Sequence, residues 1–315
     1  MRLLIKKNHF LYLVILTFVF ISTSAMSLSG NIPTVQKIIN PPVKQSKIFP
    51  SLPVLAAESS LPAGRQGFPI LSAQGALAVD LDSGISLYEK NPDAKLLPAS
   101  TTKIITALVA LDSYTLDQII TVGKINVIGQ KMGLFLGEQI TVENLLYGLL
   151  VYSANDAAEV FAVNYPGGYE AFIQAMNVKA KDLSMINSNF QNPVGLDGNN
   201  QITTAKDLIR VSEVAMRNPV FAKIVGAKSI SFTDITGKVK YNLKNINELL
   251  GVVPGVLGVK TGWTENAREN LVTYIERDGH KVMIAVLGSQ DRFGETKELI
   301  NWIFSNYNWQ EVKTP

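Results

Sequence analysis

Pro98-Ala99-Ser100-Thr101-Thr102-Lys103 stands directly before an apolar run, Ile104, Ile105, Leu108, Val109 and Leu111, that repeats at helical spacing. Pro is favoured in the first turn of a helix, so a helix is predicted to open here. Ser100 and Lys103, three residues apart, then share one face of its first turn. A Ser hydroxyl becomes an effective nucleophile when a neighbouring base takes its proton. A Lys can be that base once burial or nearby positive charge lowers its pKa. Backbone N–H groups at a helix N-terminus can stabilise a developing oxyanion. Taken alone, Ser-x-x-Lys arises by chance on the order of once in a chain of this length. A helix-start Ser beside a solvated Lys is the simpler account of it in isolation.

The 315 residues suit one or two domains, and 47% hydrophobic with 17% charged residues describes a folded chain. Arg2, Lys6 and Lys7 account for the whole formal net charge of +3. The basic balance therefore belongs to the N-terminal segment, and no nucleic-acid partner is expected. Residues 1–25 combine that positive start with the apolar run Phe10 to Ile21 and the small residues Thr23-Ser24-Ala25. They are expected to be an export signal or, if uncleaved, an N-terminal membrane anchor. Either outcome places the rest of the chain outside the cytoplasmic membrane. Residues 26–70 hold seven of the fourteen Pro residues and are expected to be an extended linker with little packed structure. A single catalytic domain is expected over 71–310.

There is no Cys, which removes disulfides, thiolate nucleophiles and Cys-based zinc sites. Of the two His residues, His9 falls in the N-terminal segment, leaving His280 in the Asp278-Gly279-His280 turn. No metal site and no cofactor are expected, and a serine enzyme built from this chain would use Lys as its base.

Strands are predicted over Ala76 to Leu81 and Ile85 to Tyr88, then a succession of helices from Ser100 to Arg217. Strands return at Ser229 to Thr233, Val239 to Leu243, Gly258 to Thr261, Asn270 to Glu276 and Lys281 to Leu287. A closing helix covers about Glu295 to Phe304. This order predicts an α/β (α+β) fold: an antiparallel sheet of N- and C-terminal strands, flanked by helices, with a helical lobe inserted between. The cleft between lobe and sheet edge is the natural place for a site.

Two further signals follow in order. Ser153-Ala154-Asn155 lies between two predicted helices, where a hydroxyl can relay a proton and an amide can hold a Lys or a substrate. Its plain alternative is a helix-capping Ser. Lys260-Thr261-Gly262 lies on a predicted strand: positive charge, a hydroxyl donor, and a Gly that lets an extended substrate approach the backbone. The ordered trio Ser-x-x-Lys, Ser-x-Asn, Lys-Thr-Gly is far more specific than any one member.

With those residues in place, the sequence resembles the serine D-alanyl-D-alanine carboxypeptidases, or low-molecular-mass penicillin-binding proteins, from about Ala76 to Phe304. Leu134-Phe135-Leu136-Gly137-Glu138, Leu145 to Leu150, Met176-Asn177 with Lys179-Ala180, Phe190 with Asn192-Pro193, Gly195-Leu196-Asp197 and the Asn245 to Leu250 stretch are similar to the family's other blocks. The resemblance implies a β-lactamase/transpeptidase-like fold and a hydrolase that removes the terminal D-Ala of peptidoglycan stem peptides. Ser100 would be acylated, with Lys103 as base, and Ser153 would pass the proton to the leaving D-Ala. Asn155 would hold peptide and Lys103, and Lys260 and Thr261 would bind the terminal carboxylate. Gly262 belongs to the substrate-binding strand, and the N–H groups of Ser100 and Trp263 would form the oxyanion hole. The charge of Lys260 would help keep Lys103 neutral. β-Lactams would bind as substrate mimics.

Two positions depart from the family pattern: Val194, where His is frequent, and Arg268, where Gly is usual and which is expected close to the site. Some members add a β-rich domain and an amphipathic membrane helix; with this chain ending at Pro315, any tether is expected at the N-terminus. A DD-endopeptidase of the same fold remains the nearest alternative. A β-lactamase fits less well, because Glu170 is the only Glu between Asn164 and Thr204 and lacks the surrounding pattern. A non-catalytic peptidoglycan-binding protein would not need the intact trio.

Overall fold

In the computed structural model the described residues are 52–55, as backbone, and 67–310. Residues 1–25 and most of the Pro-rich segment lie outside them. The elements in chain order are β1 (Leu52–Leu55), β2 (Gly75–Asp80), β3 (Ser86–Lys90), a 3-10 turn (Ala99–Thr102), α1 (Lys103–Ser113), β4 (Ile119–Thr121) and β5 (Gln139–Thr141). Then come α2 (Val142–Val151), α3 (Asn155–Asn164), α4 (Gly168–Asp182), α5 (Ala205–Arg217), α6 (Pro219–Val225), β6 (Ser229–Thr233) and β7 (Lys240–Lys244). The chain closes with β8 (Val256–Thr264), β9 (Arg268–Arg277), β10 (His280–Ser289), α7 (Arg292–Asn306) and β11 (Tyr307–Gln310).

The central sheet has five strands in the order β3-β2-β10-β9-β8, every neighbouring pair antiparallel. First and last strands meet in one sheet, as the sequence order predicts, and the helices between form the inserted lobe. β10 is buried on both faces, and its side chains alternate between two cores. Met283, Ala285 and Leu287 join a large core with α1, α2, α3 and α5. Val282, Ile284 and Val286 join a smaller core with Leu299, Ile300 and Ile303 of α7. Lys103 through Ala110 are all buried, because α1 is enclosed by α2, α3, α4 and α5.

One expectation changes. Part of the Pro-rich segment is a strand: Leu52–Leu55 pairs antiparallel with Tyr307–Gln310. Pro53 is compatible with this because a two-stranded ribbon is all edge. Arg268, expected close to the site, sits exposed at the end of the β8–β9 hairpin, paired with Thr264 of the cleft lining without lining the cleft itself. Its departure from Gly is conformational, since its backbone has φ 57°, in the left-handed region. Arg268→Gly is therefore expected to stabilise the fold by about 0.5–1 kcal/mol, as relief of strain outweighs the entropy of Gly. A melting temperature about 2–3 °C higher would register it, and an unchanged or lower one would contradict it.

Candidate active site

The nucleophile turn is held from both sides. Ala99 has φ 48°, and Thr101 donates through N and Oγ1 to Pro98 O at 3.2 and 2.6 Å. The buried Asn270 of β9 donates to Leu97 O at 2.8 Å, and Gln201 donates to Thr102 Oγ1 at 3.2 Å. Two glycines let backbone come against this turn. A Cβ on Gly195 would lie 1.8 Å from Ala99 O. A Cβ on Gly262 would lie 3.0 Å from Ser100 N and 3.1 Å from Pro98 O. Gly262 thus serves the approach of β8 to the nucleophile turn, a reason for Gly that its substrate-facing position alone does not supply.

Ser100 and Lys103 meet as the spacing predicts, although the first turn is 3-10 rather than α. Lys103 Nζ lies 2.8 Å from Ser100 Oγ and donates to Asn155 Oδ1 at 2.7 Å and Val194 O at 2.8 Å. The side chain of Val194 is buried, and it is the main-chain carbonyl that meets Lys103, so the absence of His there leaves this contact intact. Lys103 is wholly buried, and burial lowers its pKa to about 7 against the opposing pull of Asp156 and Glu159. Burial likewise pushes Glu159 up to about 7, with Lys103 drawing it back.

Ser153 does not cap a helix. It sits between α2 and α3 with φ 62°, and its Oγ accepts from Lys260 Nζ at 2.8 Å. Asn155 opens α3; its Nδ2 donates to Ile128 O at 2.6 Å, leaving Oδ1 for Lys103. Lys260, 1% exposed, also donates to Thr261 O at 2.9 Å. Its pKa is held well below the usual ammonium range by burial first, then by Lys103 and Arg292. Burial is the first cause of both shifts, and repulsion between two neighbouring ammonium groups is mutual, disfavouring charge on either amine.

Ser100, Ser153, Asn155, Thr261, Gly262 and Trp263 line one cleft of about 650 Å³, whose lining also includes Arg292. Trp263 stands on the rim, 63% exposed. Arg292 was not singled out in the sequence. It is in the first turn of α7, donates from Nη1 to Gly262 O at 3.0 Å, and keeps a buried Nε without a partner. A cation at a helix N-terminus opposes the helix dipole, and that unfavourable placement was the available signal. Among the described residues no group of three or more His, Asp or Glu side chains is placed to hold a metal ion.

A half-buried Ser beside a buried Lys of lowered pKa, at the edge of an antiparallel sheet, is the constellation of a Lys-activated serine hydrolase. The family model described as D-alanyl-D-alanine carboxypeptidase, peptidase S11, matches residues 64–291. D-alanyl-D-alanine carboxypeptidase DacB2 of Mycobacterium tuberculosis is 35% identical over 258 residues, 78% of this chain and 86% of that protein. A D-alanyl-D-alanine endopeptidase of Pseudomonas aeruginosa is 33% identical over 270 residues, 81% of this chain and 86% of that one. The crystal structure of the Streptomyces K15 DD-transpeptidase superposes with a TM-score of 0.71 at 30% identity, covering 76% of this chain and all of that one. The chain belongs to the D-alanyl-D-alanine carboxypeptidase family, peptidase S11, and is a serine DD-peptidase.

Proposed function

We propose that this protein is a serine carboxypeptidase that removes the terminal D-Ala from peptidoglycan stem peptides through an acyl-Ser100 intermediate. The observation that carries the reading is the surroundings of Lys103 Nζ. A neutral amine has two N–H bonds and one lone pair. Two of the three close partners, Asn155 Oδ1 and Val194 O, are pure acceptors and take the two hydrogens. The lone pair then faces Ser100 Oγ at 2.8 Å, poised to receive its proton.

Ser100 Oγ attacks the carbonyl between the two D-Ala residues as its proton passes to Lys103. The N–H groups of Ser100 and Trp263 receive the oxyanion, an interaction of roughly 3–4 kcal/mol per donor in such holes. Ser153 relays a proton to the departing D-Ala amine, and water hydrolyses the ester. Lys260, Thr261 and Arg292 hold the terminal carboxylate. Arg292 extends the expected set; its guanidinium stays charged although burial disfavours that charge, so a carboxylate in the cleft would be a favourable partner for it. A β-lactam would acylate Ser100 in place of substrate. The substrate places the domain in the cell envelope, with residues 1–25 as signal or anchor and 26–70 leading to the catalytic domain at 71–310.

The test is D-Ala release from a short acyl-D-Ala-D-Ala peptide, with Ser100→Ala as control: release by the wild type alone is expected. The endopeptidase relative keeps a second reading open. Cleavage of cross-linked muropeptide without D-Ala release from the linear peptide would favour it.

The pH dependence follows from the Lys103 shift. Its neutral form is the base, so kcat/KM should rise with pH through about 7 and then level. A profile flat from pH 5 to 9 would remove Lys103 from the proton transfer.

A further inference from the structure

Asp156 has no task in the scheme above, yet it follows Asn155 directly and is 1% exposed. Among the described residues it pairs with no cation. Its carboxylate accepts four backbone N–H groups: Met132 N at 3.1 Å and Ala157 N at 3.1 Å on Oδ1, Gly133 N at 2.8 Å and Leu134 N at 3.0 Å on Oδ2. Ala157 is its neighbour on α3, as in an ordinary first-turn contact. The other three donors lie 22–24 residues earlier, so these bonds join two distant segments.

That segment is the loop 122–138, which runs without regular structure from β4 to β5. Val122 joins the core and Ile125, Met132 and Leu134 pack against it, while Ile128, Phe135 and Leu136 are 65%, 49% and 73% exposed. Polar ties add to these contacts. Ile128 O accepts from Asn155 Nδ2 at 2.6 Å, and Gln130 O accepts from Asn155 N at 2.7 Å. Gly129 and Gln130 line the cleft. Two successive residues of α3 therefore grip one loop, Asn155 through its carbonyls and Asp156 through its N–H groups.

The consequence reaches Lys103. An Asn amide can present either end. Here Nδ2 is taken by Ile128 O, so Oδ1 must face Lys103 Nζ. If the carbonyl of Ile128 withdrew, the amide could turn and set a donor against a donor. We propose that Asp156 is a positioning residue for acylation: by gripping Met132, Gly133 and Leu134 it holds the loop carbonyl that orients the Asn155 amide toward Lys103. The role rests on the serine-peptidase reading above. Only a carboxylate suits it, because an Asn would keep one acceptor oxygen and aim its NH2 at two of the four donors.

The experiment uses the full chain with Asp156→Asn, Asn155→Ala and both together. It measures the rate of Ser100 acylation by benzylpenicillin and the hydrogen exchange of the 132–134 amides. In Asp156→Asn those amides should exchange at least about tenfold faster. Acylation should slow by about 30- to 100-fold. In the Asn155→Ala background the same change should cost less than about threefold, because its route is already broken. Leu134→Pro removes one donor and leaves the carboxylate; it should slow acylation in the same direction, and it carries the test if Asp156→Asn does not fold. Unchanged exchange, an equal loss in both backgrounds, or wild-type acylation in Leu134→Pro would overturn the role. A wild-type chain that forms no adduct would remove the underlying reading and the role with it, a result distinct from any of these.

Discussion

Lys103→Ala is expected to slow acylation of Ser100 by about 10⁴-fold or more, for a D-Ala-D-Ala peptide and for benzylpenicillin alike. The effect should be this large because Lys103 Nζ is the one basic group hydrogen-bonded to Ser100 Oγ among the described residues: the other partner is a carbonyl, Val194 O, at 3.4 Å, and Lys260 Nζ contacts Ser153 Oγ instead. Removal also strips Asn155 Oδ1 and Val194 O of their donor. Lys103→Met keeps the volume and should lose acylation equally, separating lost chemistry from a cavity. Penicillin acylation at the normal rate in either variant, with the fold verified by circular dichroism, would exclude Lys103 as the base.

The second large effect falls on Gly195. Gly195→Ala would place a Cβ 1.8 Å from Ala99 O and 2.4 Å from Ala99 C, at a residue with φ 90°. Ala99 precedes the nucleophile and is itself in the left-handed region. The clash cannot relax without moving Ser100. A loss of about 3 kcal/mol or more in stability is expected, with acylation reduced about 100-fold in whatever folds. Gly133→Ala is the control: its φ is 97°, but a Cβ there meets nothing within 4 Å. It should cost only the backbone strain, about 1–2 kcal/mol. Equal melting temperatures for the two variants would refute the packing argument at Gly195.

The parts of this molecule that were legible in the sequence are those whose signals are local. The last helix of the predicted succession, Ala205–Arg217, ends where expected, at Arg217; Thr204 caps its start by accepting from Asp207 N and its apolar positions keep one period. The β9–β10 turn follows Asp278-Gly279, both with positive φ. The three short motifs were readable because each pairs chemical groups within a few residues, although only the fold brings the three together at one cleft.

Other elements escaped for physical reasons. β4 and β5 are three residues each, too short for a period to register. β1 lies in a Pro-rich stretch, and its pairing with β11 depends on a partner more than 250 residues away. α6 did have signals, Asn218 as cap, Pro219 at its start and Gly226 at its end, within only seven residues. Arg292 reaches the cleft through the packing of α7 against the sheet. Asp156 acts on a loop whose position no pattern in the chain foretells.

The central claim is that Ser100 is the residue acylated. The direct measurement is to incubate the full chain with benzylpenicillin, determine the intact mass, and map the adduct by peptide digestion. One penicilloyl group on the peptide carrying Ser100, absent from Ser100→Ala, is the expected result. No adduct, or an adduct on another residue that persists in Ser100→Ala, would contradict the account.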